Sequence, residues 1–368
     1  MQNPQEPTPV PMPAFRPAVT AGGYIYVSEI KPATAVEDVA AQTQSVFAQL
    51  KTLLEANGSS IGQLCSVTVT LKRAADFAAM NAAYADVFSA APSAPPTRTT
   101  FVAWLRGSTL IEISAVAVPN GASREAMQPA GWAKNTRPYS YIIKTDDLVF
   151  FSGLLSRRGA DDTMVKGNMK TQTETVLDNA GTLLETAGLT YDDVVAARVY
   201  ITSPYDFQEM NDIYGGYFPK AAPARATAVV DLMNVDAAVE ITIIASRQPK
   251  TVIGGQAANG LPVSLAVQAG PRVWLSAVIG DTDTHPKDVA AQTRDAFGHF
   301  RTTLGLAGLT LSDIVDTTVY MPDTFELPKL DEVFREIFPK NPPARTVTGA
   351  RLVVEPALVQ LLATATRR

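Results

Sequence analysis

The twenty residues Met169–Gly188, MKTQTETVLDNAGTLLETAG, decide the architecture, because the same pattern occurs twice more. It returns as VAAQTQSVFAQLKTLLEANG at Val39–Gly58 and as VAAQTRDAFGHFRTTLGLAG at Val289–Gly308. In the middle copy Thr173, Val176, Leu177, Ala180, Leu183, Leu184 and Ala187 recur at helical spacing and form one apolar stripe. Gly188 follows as a residue suited to the left-handed cap, with Gly58 and Gly308 in the same place elsewhere.

Working outward, each of these helices sits in the same surroundings. Upstream lies a strand ending in Ser: YIYVSE to Ser28, LVFFSG to Ser152 and RVWLSA to Ser276, two steps of 124 residues. Downstream come a strand (SVTVTL, AARVYI, DTTVYM) and a second helix (FAAMNAAYADVF, FQEMNDIYGGYF, LDEVFREIF). A Pro-x-Arg strand and a final apolar strand, such as alternating Val239–Ile243, close each copy. Three recurrences of this order describe three tandem units, each β-β-α-β-α-β-β, an α+β class. The units are placed at 1–120, 135–247 and 261–368, with turn-rich joints near 119–134 and 247–262. Helices cover one face of each sheet. The other face keeps apolar residues (Val102, Val116, Val229, Ile244) beside Thr242 and needs a partner. Three such faces meeting around a pseudo-threefold axis would make one chain mimic a cyclic trimer, sheets inside and helices outside.

Composition narrows the function. The 368 residues are 46% hydrophobic and 18% charged with a net charge of −5, so no basic face suggests nucleic acid. The single cysteine, Cys65, forms no internal disulfide and reads as a buried small residue. No apolar run approaches a membrane span. The opening MQNPQEPTPVPMP, residues 1–13, is a Pro-rich tail without the apolar core of a signal peptide. A cytoplasmic location is expected, with export and loss of a signal as the alternative. His285 and His299 lack accompanying ligands, so no metal site is expected.

The Gln-Thr helix, the F…N…Y…F helix and the PAR…E strand pair together resemble the Rid family (reactive intermediate deaminase A, the YjgF-like proteins) along nearly the full length of each copy. The resemblance implies a chorismate-mutase-like fold, trimeric assembly with sites in clefts between units, and no metal or organic cofactor. The implied activity is hydrolysis of enamine and imine intermediates such as 2-aminoacrylate to a 2-keto acid and ammonia.

It also implies site residues. The carboxylate-binding Arg corresponds to Arg98, Arg225 and Arg345. The late-strand Glu that holds the attacking water corresponds to Glu112 and Glu240, with Gln360 in the third copy. The early Tyr is Tyr139, replaced by Phe15 and Val263. The Gly after the strand-end Ser is Gly153, replaced by Glu29 and Ala277. The second-helix Asn is Asn81 and Asn211, replaced by Asp331. Where the family often has Cys, two residues past the Arg, stand Thr100, Thr227 and Val347.

These residue types suit that chemistry. A guanidinium binds a carboxylate bidentately and stays charged. A carboxylate beside a water can take its proton during attack on an imine carbon. Arg225, Glu240 and Tyr139 are the expected catalytic residues. Gly153, Asn211, Thr227, Arg98, Glu112, Phe15, Asn81 and Arg345 are the expected substrate-binding residues. If the Arg strand and the Glu strand form a hairpin turning near Asn234-Val235, Arg225 and Glu240 share one sheet face, roughly 13 Å apart. Copy two keeps the full set, copy one most of it, and copy three little beyond its Arg. If each cleft draws on two copies, however, an intact copy does not guarantee an intact cleft.

Two other functions fit the pattern: a non-catalytic pseudo-trimer that binds small carboxylates, and a ring-opening amidohydrolase of similar threefold plan. The latter uses a Ser–Lys pair in each repeat, and no Lys recurs at equivalent positions in all three copies. The acidic balance gives no support to the ribonuclease label that some Rid proteins carry. The expected partner is a small carboxylate-bearing substrate, bound by a three-domain monomer.

Overall fold

A computed structural model describes residues 13–89, 93–257 and 260–367; the tail read at 1–13 falls outside them except for Pro13. The first copy runs β1 (Ala18–Ala21), β2 (Tyr24–Ile30), α1 (Val39–Ala56), β3 (Leu64–Leu71), α2 (Phe77–Ser89), β4 (Thr97–Val102) and β5 (Ile111–Ala117). The second runs β6 (Glu125–Met127), β7 (Ile142–Lys144), β8 (Leu148–Phe151), α3 (Met169–Thr186), β9 (Val194–Ile201), α4 (Phe207–Tyr217), β10 (Ala224–Val229), β11 (Asp231–Leu232) and β12 (Val239–Ser246). The third runs β13 (Lys250–Gln256), β14 (Ser264–Ala269), β15 (Arg272–Ile279), α5 (Val289–Leu306), β16 (Ile314–Met321), α6 (Leu327–Ile337), β17 (Ala344–Gly349) and β18 (Gln360–Thr366). β6 and β13 lie in the stretches read as joints, and each adds an antiparallel strand to the sheet that follows it.

The helices form where the stripes place them. Asn168 caps α3 by accepting the Thr171 N–H at 3.1 Å, and Gly188 ends it at φ +75°. Val176, Leu177, Ala180, Leu183 and Leu184 are buried against β9 and β12, the larger side chains worth about 1.5–3 kcal/mol each. The Gln of each Gln-Thr pair is a buried clamp. Gln172 donates to Asp236 O at 2.9 Å and accepts the Ala238 N–H at 2.9 Å, pinning the loop before β12. Gln42 does the same at Ser108 O and the Leu110 N–H.

Each sheet has six strands, ordered β1-β2-β5-β3-β4-β11, β10-β9-β12-β8-β7-β6 and β13-β14-β15-β18-β16-β17. The last strand of each copy therefore inserts beside the strand after the first helix, and the Arg strand lies outermost among its own copy's strands, parallel to that same strand. This overturns the hairpin expectation: β9 separates β10 from β12. Arg225 pairs with Ala197 and Glu240 with Tyr200, three residues apart on β9. An odd separation on a pleated strand puts the two side chains on opposite faces. Arg225 faces the helices; Glu240 faces the neighbouring copies.

The three inner faces meet as expected. Tyr26, Phe150 and Trp274, one from each copy, share an apolar core with Cys65. Phe101, Tyr200, Tyr320 and Leu362 share a second. Val116 and Ile244 pack on the first, and the Thr242 hydroxyl meets the Thr99 hydroxyl at 2.7 Å. Val229 and Val102 are different. Val229 belongs to the helix-side core and Val102 pairs with Leu71 of another helix-side core, because both share the pleat of the Arg in their strand.

Three further contacts close the ring. The Arg98 N–H donates to Ser152 Oγ at 2.9 Å, Arg225 N–H to Ser276 Oγ at 2.9 Å and Arg345 N–H to Ser28 Oγ at 2.8 Å. Each is a head-to-tail contact, and the third returns to the first copy. β11 crosses to pair with β4 of the first copy. At one end of the axis Tyr24, Asp147 and Arg272, one per copy, converge. Tyr24 OH donates to Asp147 at 2.5 Å, Arg272 donates to Asp147 at 2.7 Å, and the guanidinium lies 4.5 Å from the Tyr24 ring.

Candidate functional site

Because Arg and late-strand Glu face opposite ways, each cleft combines the Arg of one copy with the Glu-position residue of the next. The three clefts differ accordingly.

In the cleft between the first and second copies, Arg98 comes from β4 and Glu240 from β12. Arg98 is buried; its Nη2 donates to Asn81 Oδ1 at 2.8 Å. Its guanidinium lies 4.8 Å from the Tyr84 ring and 5.3 Å from the Tyr139 ring. Tyr139 thus covers the Arg of the neighbouring copy, and its hydroxyl accepts from Arg137 at 3.3 Å. The Gly153 N–H donates to Arg98 O at 3.1 Å. Gly153 has no room for a side chain: a Cβ there would overlap Glu240 Oε1 and lie 2.8 Å from Glu240 Cδ. Glu240 is buried over that glycine, near enough to the Thr100 backbone N–H to be influenced by it. Burial pushes its carboxyl up to about 8, against the opposing pull of Arg98 and the Thr100 N–H. Arg98 Nη1 and Thr100 Oγ1 are buried without a hydrogen-bond partner among the described residues. Such groups are costly to leave unanswered, and they mark where a polar ligand would bind.

The cleft between the second and third copies holds Arg225. Its Nη2 donates to Asn211 Oδ1 at 2.5 Å, and Tyr214 lies 4.6 Å away. Burial lowers its guanidinium to about 10, with only Tyr214 opposing. Arg225 Nη1, Thr227 Oγ1 and Gln360 Oε1 have no hydrogen-bond partner among the described residues. Gln360 pairs with Tyr320 as Glu240 pairs with Tyr200, so it holds the Glu position without an ionisable group. Val263 is buried and Ala277 follows the Ser276 clamp. Arg225, expected beside Glu240 and Tyr139, is in a different cleft from both.

The cleft between the third and first copies holds Arg345. Its Nη2 donates to Asp331 Oδ1 at 2.6 Å, so a fixed carboxylate neutralises it. Phe15 and Phe334 sandwich the guanidinium at 4.8 and 4.6 Å. Glu29 Oε2 accepts the Val347 N–H at 3.1 Å, and Glu112 pairs with Lys31 at 3.5 Å.

Ser28, Ser152 and Ser276 hold the Arg strands in place. The sequence marked them as repeat landmarks by their 124-residue steps, yet nothing in it showed that they reach the next copy.

Comparison with known proteins follows the repeat. A sequence model of the family described as Endoribonuclease L-PSP matches at residues 5–119, 132–247 and 257–367. The chain belongs to the Rid (YjgF-like) family. Reactive Intermediate Deaminase A, chloroplastic, of Arabidopsis thaliana is 38% identical over 109 residues, 30% of this chain and 58% of that protein. The 2-iminobutanoate/2-iminopropanoate deaminase of Bos taurus is 34% identical over 114 residues, 31% of this chain and 83% of that one. The solved structure of a chorismatase covers 83% of this chain and 93% of its own at a TM-score of 0.54; at 14% identity the likeness concerns the fold alone. These Rid relatives match one unit, whereas this chain carries three. Among the described residues no helix is long and apolar enough to cross a membrane.

Proposed function

We propose that this Rid chain is an imine and enamine deaminase acting on small 2-amino acid intermediates, and that its working cleft lies between the first and second copies. One observation carries the reading: a buried Arg, Arg98, without a paired carboxylate side chain among the described residues faces a buried Glu, Glu240, seated over a glycine. The other two clefts lack the Glu or neutralise the Arg.

Arg98 Nη1 takes the substrate carboxylate, with the Thr100 hydroxyl as a second donor. Tyr139 and Asn81 hold the guanidinium in place. Glu240, largely protonated at neutral pH, donates its proton to the terminal carbon of 2-aminoacrylate, which gives the iminium form. The resulting carboxylate takes a proton from water as the water oxygen bonds to the imine carbon. In the resulting carbinolamine the hydroxyl proton passes to the nitrogen, the C–N bond breaks as the C=O bond forms, and ammonia leaves with pyruvate as the other product. Glu240 moves one proton in each direction and ends as it began. One chain supplies all three units, so a monomer suffices.

Purified protein added to an enzyme that generates 2-aminoacrylate tests this. Pyruvate release should accelerate, and Arg98→Ala should remove the acceleration while Arg225→Ala keeps it. No acceleration by the wild type, or loss with Arg225→Ala alone, overturns the reading. A second role fits the cleft of Arg225. It keeps the Arg and Asn211 but offers Gln360, so it binds a small carboxylate without turnover.

A further inference from the structure

The cleft between the third and first copies has been rebuilt rather than erased. In the Arg98 cleft, the backbone N–H two residues past the Arg, at Thr100, lies near Glu240 and favours its charged form. In the third cleft the corresponding N–H, at Val347, donates to Glu29 at 3.1 Å. Glu29 stands where the other cleft has its glycine, so here the carboxylate that meets this N–H comes from the Ser strand rather than from the last strand. Glu112, at the late-strand Glu position, is turned to Lys31. Asp331 replaces the Asn that holds the other two Args, and it bonds Arg345 directly.

The charges are thereby paired off: Arg345 with Asp331, Lys31 with Glu112. Glu29 is pushed up to about 8 by burial, so it is largely uncharged at neutral pH. A ligand carboxylate would meet a guanidinium already neutralised and would have to displace or crowd Asp331. Yet the cleft is not filled. A cavity of about 780 Å³ opens onto Arg345 and Glu29, with Phe15, Ile30, Leu53 and Leu327 on its walls. Arg345 is 1% exposed, and its Nη1 and Nε have no hydrogen-bond partner among the described residues. Those donors call for an acceptor, and Glu29 offers an oxygen to a donor beside it.

We propose that this cleft is a second ligand site, selective for an uncharged carbonyl compound with an apolar body, of the primary amide class. The carbonyl oxygen accepts from Arg345 Nη1, the amide N–H faces Glu29, and the hydrocarbon part lies on Phe15, Leu53 and Leu327. The assignment stands apart from the reading of the Arg98 cleft, since no residue is shared.

Ligand-observed NMR titration of the full chain at pH 7 with hexanamide and hexanoate tests it. Hexanamide should bind at least tenfold more tightly than hexanoate at this site. Leu53→Glu, on the cavity wall, should abolish hexanamide binding, whereas Glu240→Gln should leave it unchanged. Asp331→Asn, which restores the Asn of the other copies and frees the charge of Arg345, should reverse the preference toward hexanoate. Thermal melts confirm that each variant is folded. The proposal fails if wild-type protein binds no hexanamide. It fails equally if hexanoate is preferred in a Leu53-dependent manner, if hexanamide binding survives Leu53→Glu, or if Asp331→Asn leaves the preference unchanged.

Discussion

Gly153 lies directly beneath the Glu240 carboxylate, with no room between them for a methyl group. The carboxylate can occupy this position beside the first copy only because residue 153 has no side chain. Gly153→Ala should therefore displace Glu240, costing about 1–3 kcal/mol of stability from overpacking. Most of the imine-hydrolysing activity should go with it. The pyruvate-release assay and a thermal melt on the same sample measure both. Full activity in a folded Gly153→Ala protein would show that the position of Glu240 does not matter.

Arg98 should matter and Arg225 should not. Loss of charge-assisted hydrogen bonds worth about 1.5–3 kcal/mol lowers kcat/KM roughly 10–100-fold in Arg98→Ala. The measurement is initial rate against the flux of 2-aminoacrylate, for both variants in parallel.

The carboxyls of Glu240 and Glu29 both stand near 8, raised from 4.5 mainly by burial. The folded state holds these protons more tightly than the unfolded chain does. Stability from these groups is thus greatest below pH 4.5, declines as pH rises, and levels off above about 8. Between pH 5 and 8.5 the Tm of the double variant Glu29→Gln, Glu240→Gln should fall less than that of the wild type. An equal or steeper fall in the double variant would place the pH dependence elsewhere.

The second cleft offers a gain-of-function test. It retains Arg225 and Asn211 but has Val263, Ala277 and Gln360 where the Arg98 cleft has Tyr139, Gly153 and Glu240. In an Arg98→Ala background, the triple change Val263→Tyr, Ala277→Gly and Gln360→Glu should restore measurable pyruvate release. Gln360→Glu alone should not, because the Ala277 methyl holds the space the carboxylate needs.

The ring depends on contacts made between copies. Ser152→Ala leaves the buried Arg98 N–H without its acceptor and should cost about 1–3 kcal/mol. Arg272→Ala removes the cation that pairs with Asp147 at the three-way junction, leaving Tyr24 as its partner there, and should cost about 3 kcal/mol. Denaturant titration checks both.

The sequence alone was enough to reveal three copies, their helices and the residue types at each site position. Apolar periodicity of 3.6 and 2 is a local property, and the 124-residue step of Ser28, Ser152 and Ser276 is arithmetic. The residues at each site position were all legible, including the departures at Glu29, Ala277, Asp331 and Gln360. Their grouping was not. Arg225 and Glu240 are fifteen residues apart in one copy, and a hairpin between their strands was the natural assumption. Insertion of β9 between β10 and β12 sends their side chains to opposite faces, and only closure of the three-sheet ring brings Arg98 to Glu240. That pairing depends on pleat parity and on contacts between residues more than a hundred positions apart. So does the finding that Glu29, which looked like the loss of a glycine, carries the carboxylate of the third cleft. Sequence determined which groups exist and which elements carry them; tertiary structure decided which groups meet, because a cleft shared by two copies belongs to neither repeat.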